Sequence, residues 1–343
     1  MRKIGFILLS CLCFFTAEAQ ELLKLQAEAR VDYQREYIGG EAIRPHSGFR
    51  GKYLNIMLNG NLNEHFSYSY RQRLNKMHAD QSFFDATDWV NLTYRPDDHW
   101  SFSAGKLVVG IGGYEYDRAP IDLYFTSEFW NNIPCYQLGV NIGYAFKGGK
   151  DQLVLQFCQS PFRAHGDDMY AYNLSWYGSH GKLSTIYSLN LMEYLPHKFI
   201  NYIALGHRLD FGKVTLEADL MNRASSHQVF FFKDFSVMAE VAYQPLSWLN
   251  VFGKVTYDVN KTESAADYCV MPGTELTYLG GGLEFYPLKG NRDVRIHATY
   301  SHSFGTNGNP DGTLPGKQDM LYVGLKWRVD LLSLAHNWKR NKR

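Results

Sequence analysis

The chain has 343 residues with 35 basic and 34 acidic side chains, a balance that excludes the strongly basic footprint of a nucleic-acid binder. Aromatic residues make up 15% of it, including 24 tyrosines and 22 phenylalanines, far more tyrosine than a soluble α/β enzyme needs. Beyond the first twenty positions no run of 18 or more apolar residues occurs, so no transmembrane helix is expected.

The N-terminus reads as a secretory signal: Arg2 and Lys3, then an uncharged apolar stretch from Ile4 to Phe15, then the small-x-small site Ala17-Glu18-Ala19. Cleavage there starts the mature chain at Gln20. A competing lipoprotein reading at Leu8-Leu9-Ser10-Cys11 leaves an apolar region of only about seven residues, which is short for export. Removing Arg2, Lys3 and Glu18 leaves 33 basic and 33 acidic residues, and Lys339, Arg340, Lys342 and Arg343 crowd the last five positions. The expected organisation is a signal at 1–19, one domain at 20–331 and a basic tail at 332–343.

From Leu23 onward a two-residue period replaces the helical one. Leu23, Leu25, Ala27, Ala29, Val31 and Tyr33 alternate with Lys24, Gln26, Glu28, Arg30 and Asp32, which puts an apolar and a charged face on one strand. The same alternation predicts sixteen strands, near 22–33, 49–60, 64–73, 84–94, 98–110, 134–147, 151–161, 170–178, 181–192, 197–209, 212–222, 232–244, 247–258, 274–286, 291–302 and 319–330. Most run 9–14 residues, enough to cross a bilayer at a tilt.

The connections sort by length. Every even-to-odd link is short and rich in turn formers, such as Asn61-Leu62-Asn63, Arg95-Pro96-Asp97 and Lys147-Gly148-Gly149-Lys150. Odd-to-even links are mostly long, among them 34–48, 111–133, 259–273 and 303–318. Tyr94, Trp100, Phe146, Tyr243 and Trp248 flank the short turns, as interfacial rings do. An all-β, sixteen-stranded antiparallel transmembrane barrel follows, with long extracellular loops, short periplasmic turns and a lumen wide enough for water. Its expected surroundings are outer-membrane lipid.

The longest link, Ile111 to Ile133, begins at Gly112-Gly113 and carries charges of both signs. Tyr114, Glu115, Asp117, Arg118, Asp122 and Glu128 are its candidate constriction residues. Inward-facing cations by alternation are Arg30, Arg71, Arg73, Arg208, Arg295, Lys326 and Arg328, and Lys106 joins them although the alternation falters there. These are candidate anion contacts, or they pair with Glu28, Asp32, Glu217, Asp219 and Glu240 and hydrate the wall.

Ala104-Gly105-Lys106, Gly112 through Asp117, and Pro120-Ile121-Asp122 resemble the phosphate-selective porin O and P family in its Bacteroidota form, as does the final strand from Gly324 to Leu331. The resemblance implies a homotrimeric outer-membrane porin that passes small hydrophilic solutes, including anions such as phosphate, with a lumen rich in Arg and Lys. The chain departs from that pattern by continuing past Leu331 and by a net negative barrel.

The alternatives are a structural or adhesive barrel and a barrel enzyme. For the latter, His297 and Ser301 share a face but stand about 13 Å apart at strand rise, and neither a GxSxG elbow nor HExxH spacing occurs. No cofactor is expected. Gly166-Asp167-Asp168 and Asn307 through Gly312 carry oxygen ligands, but they read as ordinary turn-rich loops. Cys135, Cys158 and Cys269 have no metal-ligand spacing and are expected to be buried or in loops.

Overall fold

The computed structural model describes residues 23–76, 82–163, 168–225, 232–310 and 315–332. The expected signal, most of the basic tail and Gly166-Asp167 lie outside these residues. Sixteen long antiparallel strands are present: β1 Lys24–Ile38, β2 Gly48–Asn61, β3 Phe66–Arg73, β4 Thr87–Tyr94, β5 Trp100–Val108, β6 Tyr136–Ala145, β7 Asp151–Gln159 and β8 Tyr170–His180. The second half holds β9 Leu183–Leu195, β10 Lys198–Asp210, β11 Val214–Ser225, β12 Asp234–Leu246, β13 Leu249–Asn260, β14 Glu275–Phe285, β15 Val294–Thr306 and β16 Gln318–Asp330. A two-residue strand, Glu41–Ala42, folds back on the end of β1.

Each strand pairs with its neighbours in sequence, and β1 closes the sheet against β16 from Gln26↔Asp330 to Ile38↔Gln318. Closure satisfies every backbone ladder without leaving an edge, the condition for a sheet in lipid. Sixteen strands were expected and sixteen form the wall. The main difference is at β1, which runs on to Ile38 and shortens the first loop to 39–47.

Burial is inverted relative to a water-soluble protein. Leu155, Leu174, Leu189, Val241, Leu283, Tyr300 and Val323 are exposed, whereas Glu28, Arg30, Asp32, Glu217, Lys254 and Arg295 are buried. An apolar outer band over a polar interior matches lipid outside and water inside. Leu174→Arg, at mid-height on the outer face, should therefore cost about 2–4 kcal/mol, while Thr215→Arg on the inner face should cost little. Urea unfolding of the protein reconstituted in lipid, followed by tryptophan fluorescence, compares the two.

Candidate functional site: a lumen crossed by the third loop

The segment between β5 and β6 turns into the barrel. Gly113 makes that turn possible with φ +102°, and a Cβ on Gly112 would lie 2.8 Å from the Ile186 carbonyl oxygen. Both features require glycine. Three short helical pieces follow: α1 Tyr114–Asp117, a 3-10 turn Pro120–Asp122 and α2 Glu128–Asn132. The Ser127 side chain caps α2 by accepting the Trp130 N–H. Helices of four and five residues do not persist alone, so their partners must hold them.

Those partners are inward side chains of the wall. Asp219 accepts the Tyr114 and Glu115 N–H groups at 2.8 and 2.7 Å. Arg118 donates to both Glu240 oxygens at 3.0 and 2.9 Å and pairs with Glu217. Lys254 pairs with Glu115 at 2.6 Å, and Tyr124 donates to Glu284 at 2.7 Å. On the far side Arg30 donates to the Ile121 and Leu123 carbonyls, and Asp122 receives Arg295 at 2.9 Å together with Lys326. The loop thus spans from β9 to β1 at mid-barrel depth.

Burial alone would raise the Asp122 carboxyl, but Arg295 and Lys326 hold it below the usual carboxylate range. A lowered carboxylate contributes its stability above the unfolded value, about pH 4, and loses it as pH falls through the folded one. Asp122 is therefore ionised at neutral pH.

A second anchor is apolar. Tyr116, Phe129 and Ile133 of the loop pack with Phe162, Met169, Met192, Tyr202, Met221, Cys269 and Val270 in one enclosed cluster. This core lies inside the barrel, so part of the lumen between β7 and β11 is filled with protein. Beneath it Arg223 is fully enclosed, bonded to Asp267, to Ser236 Oγ at 2.6 Å and to the Val259 carbonyl at 2.8 Å. Alternation placed Tyr116, Phe129 and Trp130 in a loop but gave no sign of this core. Its partners Phe162, Met169, Cys269 and Val270 come from segments remote in sequence.

The expected site residues divide into groups. Arg71 and Arg73 share Asp88 at 2.8 and 3.2 Å, Arg208 pairs with Glu217 at 2.7 Å, and Arg328 pairs with Glu28 at 2.9 Å. With the loop pairs above, each inward candidate cation has a carboxylate partner. Tyr114 is buried beneath the Arg208 guanidinium, 4.1 Å from its ring centre, and Asp117 ends α1. Glu128 is wholly enclosed, its Oε1 accepting Asn132, and burial raises its carboxyl; it does not line open water.

Lys106 departs from expectation. Its cross-strand partners Val90 and Leu138 point outward, so Lys106 sits on the outer face. Gly105 has φ +134°, but both ladders run through it without a register shift, so Lys106 shares the outward parity of Trp100, Phe102 and Ala104. The Lys106 ammonium donates to the Phe84 carbonyl at 2.9 Å. It is not a pore contact.

Below the loop, toward the short turns, a cavity of about 350 Å³ opens between β10 and β15. Its wall holds six basic and five acidic side chains, among them Arg118, Arg208, Glu217, Glu240, Glu284 and Arg295. His297 and Ser301 are engaged separately, His297 with Asp32 at 3.0 Å and Ser301 with the Tyr278 hydroxyl at 3.3 Å. Cys135, Cys158 and Cys269 are free thiols in or against the apolar cluster.

A closed barrel crossed by its third loop is the porin arrangement, and residues 23–185 match the family described as phosphate-selective porin O and P. Over that span the chain is similar to this porin family. The resemblance read at 104–122 falls inside it. Solved structures agree in fold: OmpT of Vibrio cholerae covers 90% of this chain and 97% of its own, with TM-score 0.62 and 10% identity. The anion-selective porin from Comamonas acidovorans covers 90% and 99%, with TM-score 0.60 and 10% identity. A variant of the Rh. blastica porin gives 0.55 at 11% identity, covering 90% and 100%. No curated protein sequence matches.

Proposed function

We propose that the protein is an outer-membrane porin for passive diffusion of small hydrophilic solutes, with residues 111–133 narrowing the pore. The observation that carries this reading is the loop itself, tied across the lumen to β9 through β1 by Asp219, Arg118, Asp122 and Lys254. A barrel with only a structural or adhesive role has no need for a charged, cross-braced loop at mid-depth. The reading places the long loops outside the cell, the short turns in the periplasm and the signal at 1–19 in export. It carries a homotrimer too, the form in which Vibrio cholerae OmpT has also been solved.

Selectivity in this reading is weak. Unpaired lumenal cations would favour anions, but the candidate cations are matched by carboxylates, and the cavity below the loop is nearly balanced. Phosphate passes as one small solute among others. Planar-bilayer recording of the purified protein tests both parts: stepwise conductance is expected, with a reversal potential near zero in a KCl gradient. A membrane without steps would reject the porin.

Asp122→Asn supplies a sharper test. It removes the carboxylate shared by Arg295 and Lys326 and leaves Lys326 with its amine free in the lumen. The reversal potential should move toward the chloride value. An unchanged potential would place this latch away from the ion path.

A further inference from the structure

Lumenal charge is unevenly spread around the wall. Glu217, Asp219, Glu240, Lys254, Arg295 and Lys326 stand on β11–β16. Opposite them, Thr93, Ser103, Asn141, Gln156, Asn173 and Asn190 are successive cross-strand partners on β4–β9, all inward and all uncharged. The next row toward the turns, from Ser101 through Gly143, Val154 and Ser175 to Ser188, is uncharged as well.

Part of this ladder holds the start of the third loop. Gln156 donates to the Val108 carbonyl at 2.9 Å and accepts the Gly110 N–H at 2.7 Å, while Asn190 donates to the Gly110 carbonyl at 2.7 Å. Asn190 also bonds Asn173, and Asn173 bonds Gln156. Asn141 is different: among the described residues its Oδ1 receives no donor. It lines a cavity of about 310 Å³ between the wall and the loop, together with Trp89, Asn91, Ser175 and Tyr177, and among the described residues its one carboxylate is Asp117. That volume is at the small end of ligand sites, roughly 300–1,000 Å³.

We propose that this cavity is a station for an uncharged, polyhydroxylated solute of monosaccharide size on its way through the pore. The proposal rests on the porin reading and assigns the neutral wall a substrate class. Hydroxyls that both donate and accept match amide and hydroxyl side chains, which present both functions. Ring faces of Trp89 and Tyr177 supply apolar cover for the C–H face of a pyranose. Trp89 is held in place by its Nε1–H to Ser69 Oγ at 2.8 Å and by the Arg71 guanidinium 3.8 Å from its ring centre. An anionic solute finds no Lys or Arg among the residues lining it, whereas the opposite wall offers both signs. Binding must stay weak for the solute to leave.

The test is ion conductance of the full mature protein in planar bilayers, titrated with D-glucose. A saturable fall in conductance, beyond what bulk viscosity produces, is expected. Trp89→Ala and Asn141→Leu should each weaken the apparent affinity by about tenfold, as loss of a stacked ring or a hydrogen bond implies. Trp89→Phe should retain most of it, and Lys213→Gln in the charged cavity near the turns should leave it unchanged. Conductance steps that fall only in proportion to viscosity, or saturation that survives Trp89→Ala and Asn141→Leu alike, overturn the station and leave the porin standing. Absence of steps in the unaltered protein overturns both.

Discussion

Replacing Tyr114 through Trp130 with a short glycine-serine linker should raise single-channel conductance several-fold while the barrel still forms. The wall does not depend on the loop for its backbone bonding, because β5 pairs with β6 and every other strand with its own neighbours. The loop does occupy the lumen at mid-depth, and its removal leaves Asp219, Glu240, Asp258 and Arg295 facing water instead of loop atoms. In water each is solvated at little cost, unlike a charge stranded in a dry interior. Bilayer recording reads the conductance, and heat-dependent gel mobility reads the fold. A well-folded variant with unchanged conductance would mean that the loop does not set the narrowest point.

Arg223→Met should destabilise the protein by about 3–5 kcal/mol, the usual consequence of removing one partner from a buried ion pair. Arg223 and Asp267 are both enclosed, and the same guanidinium bonds Ser236, which in turn donates to Asp258. Asp258 accepts the Glu128 and Phe129 N–H groups at 2.8 and 3.3 Å, so this network supports α2 and through it the third loop. Losing the arginine leaves two carboxylates without their cation in an apolar neighbourhood. Urea unfolding in lipid gives the energy. Arg223→Met combined with Asp267→Leu should recover much of it, since it removes the stranded carboxylate nearest the lesion. If the single variant costs less than about 1 kcal/mol, typical of a solvent-screened pair, the network is not a structural anchor.

The two variants probe different parts of what could be read in advance. Alternation at 24–33 or 319–330 announces an apolar outer and polar inner face because side chains in a strand change sides at every residue. The tight links between strands announce register at the turn end, and the glycine pair at 112–113 announces a sharp bend. Lys106 shows where this logic stops. Strict parity with Trp100, Phe102 and Ala104 turns it outward, and a side chain assigned to the water is instead bonded to the Phe84 carbonyl. Arg223 shows another limit. Parity places it inward like Arg208, yet Arg208 is partly exposed and Arg223 is sealed beneath loop 261–274.

The porin-like barrel was thus set by local sequence: strand period, strand length and the sorting of links by length need no long-range information, because each hairpin pairs with the next. Which charges meet was decided only by tertiary structure. The third loop reaches partners from about 90 to about 200 residues away, as Arg30 with Ile121 and Asp122 with Lys326 do. No periodicity encodes such pairings. They turn Arg30, Arg295 and Lys326, read as candidate anion contacts, into cross-braces of the third loop.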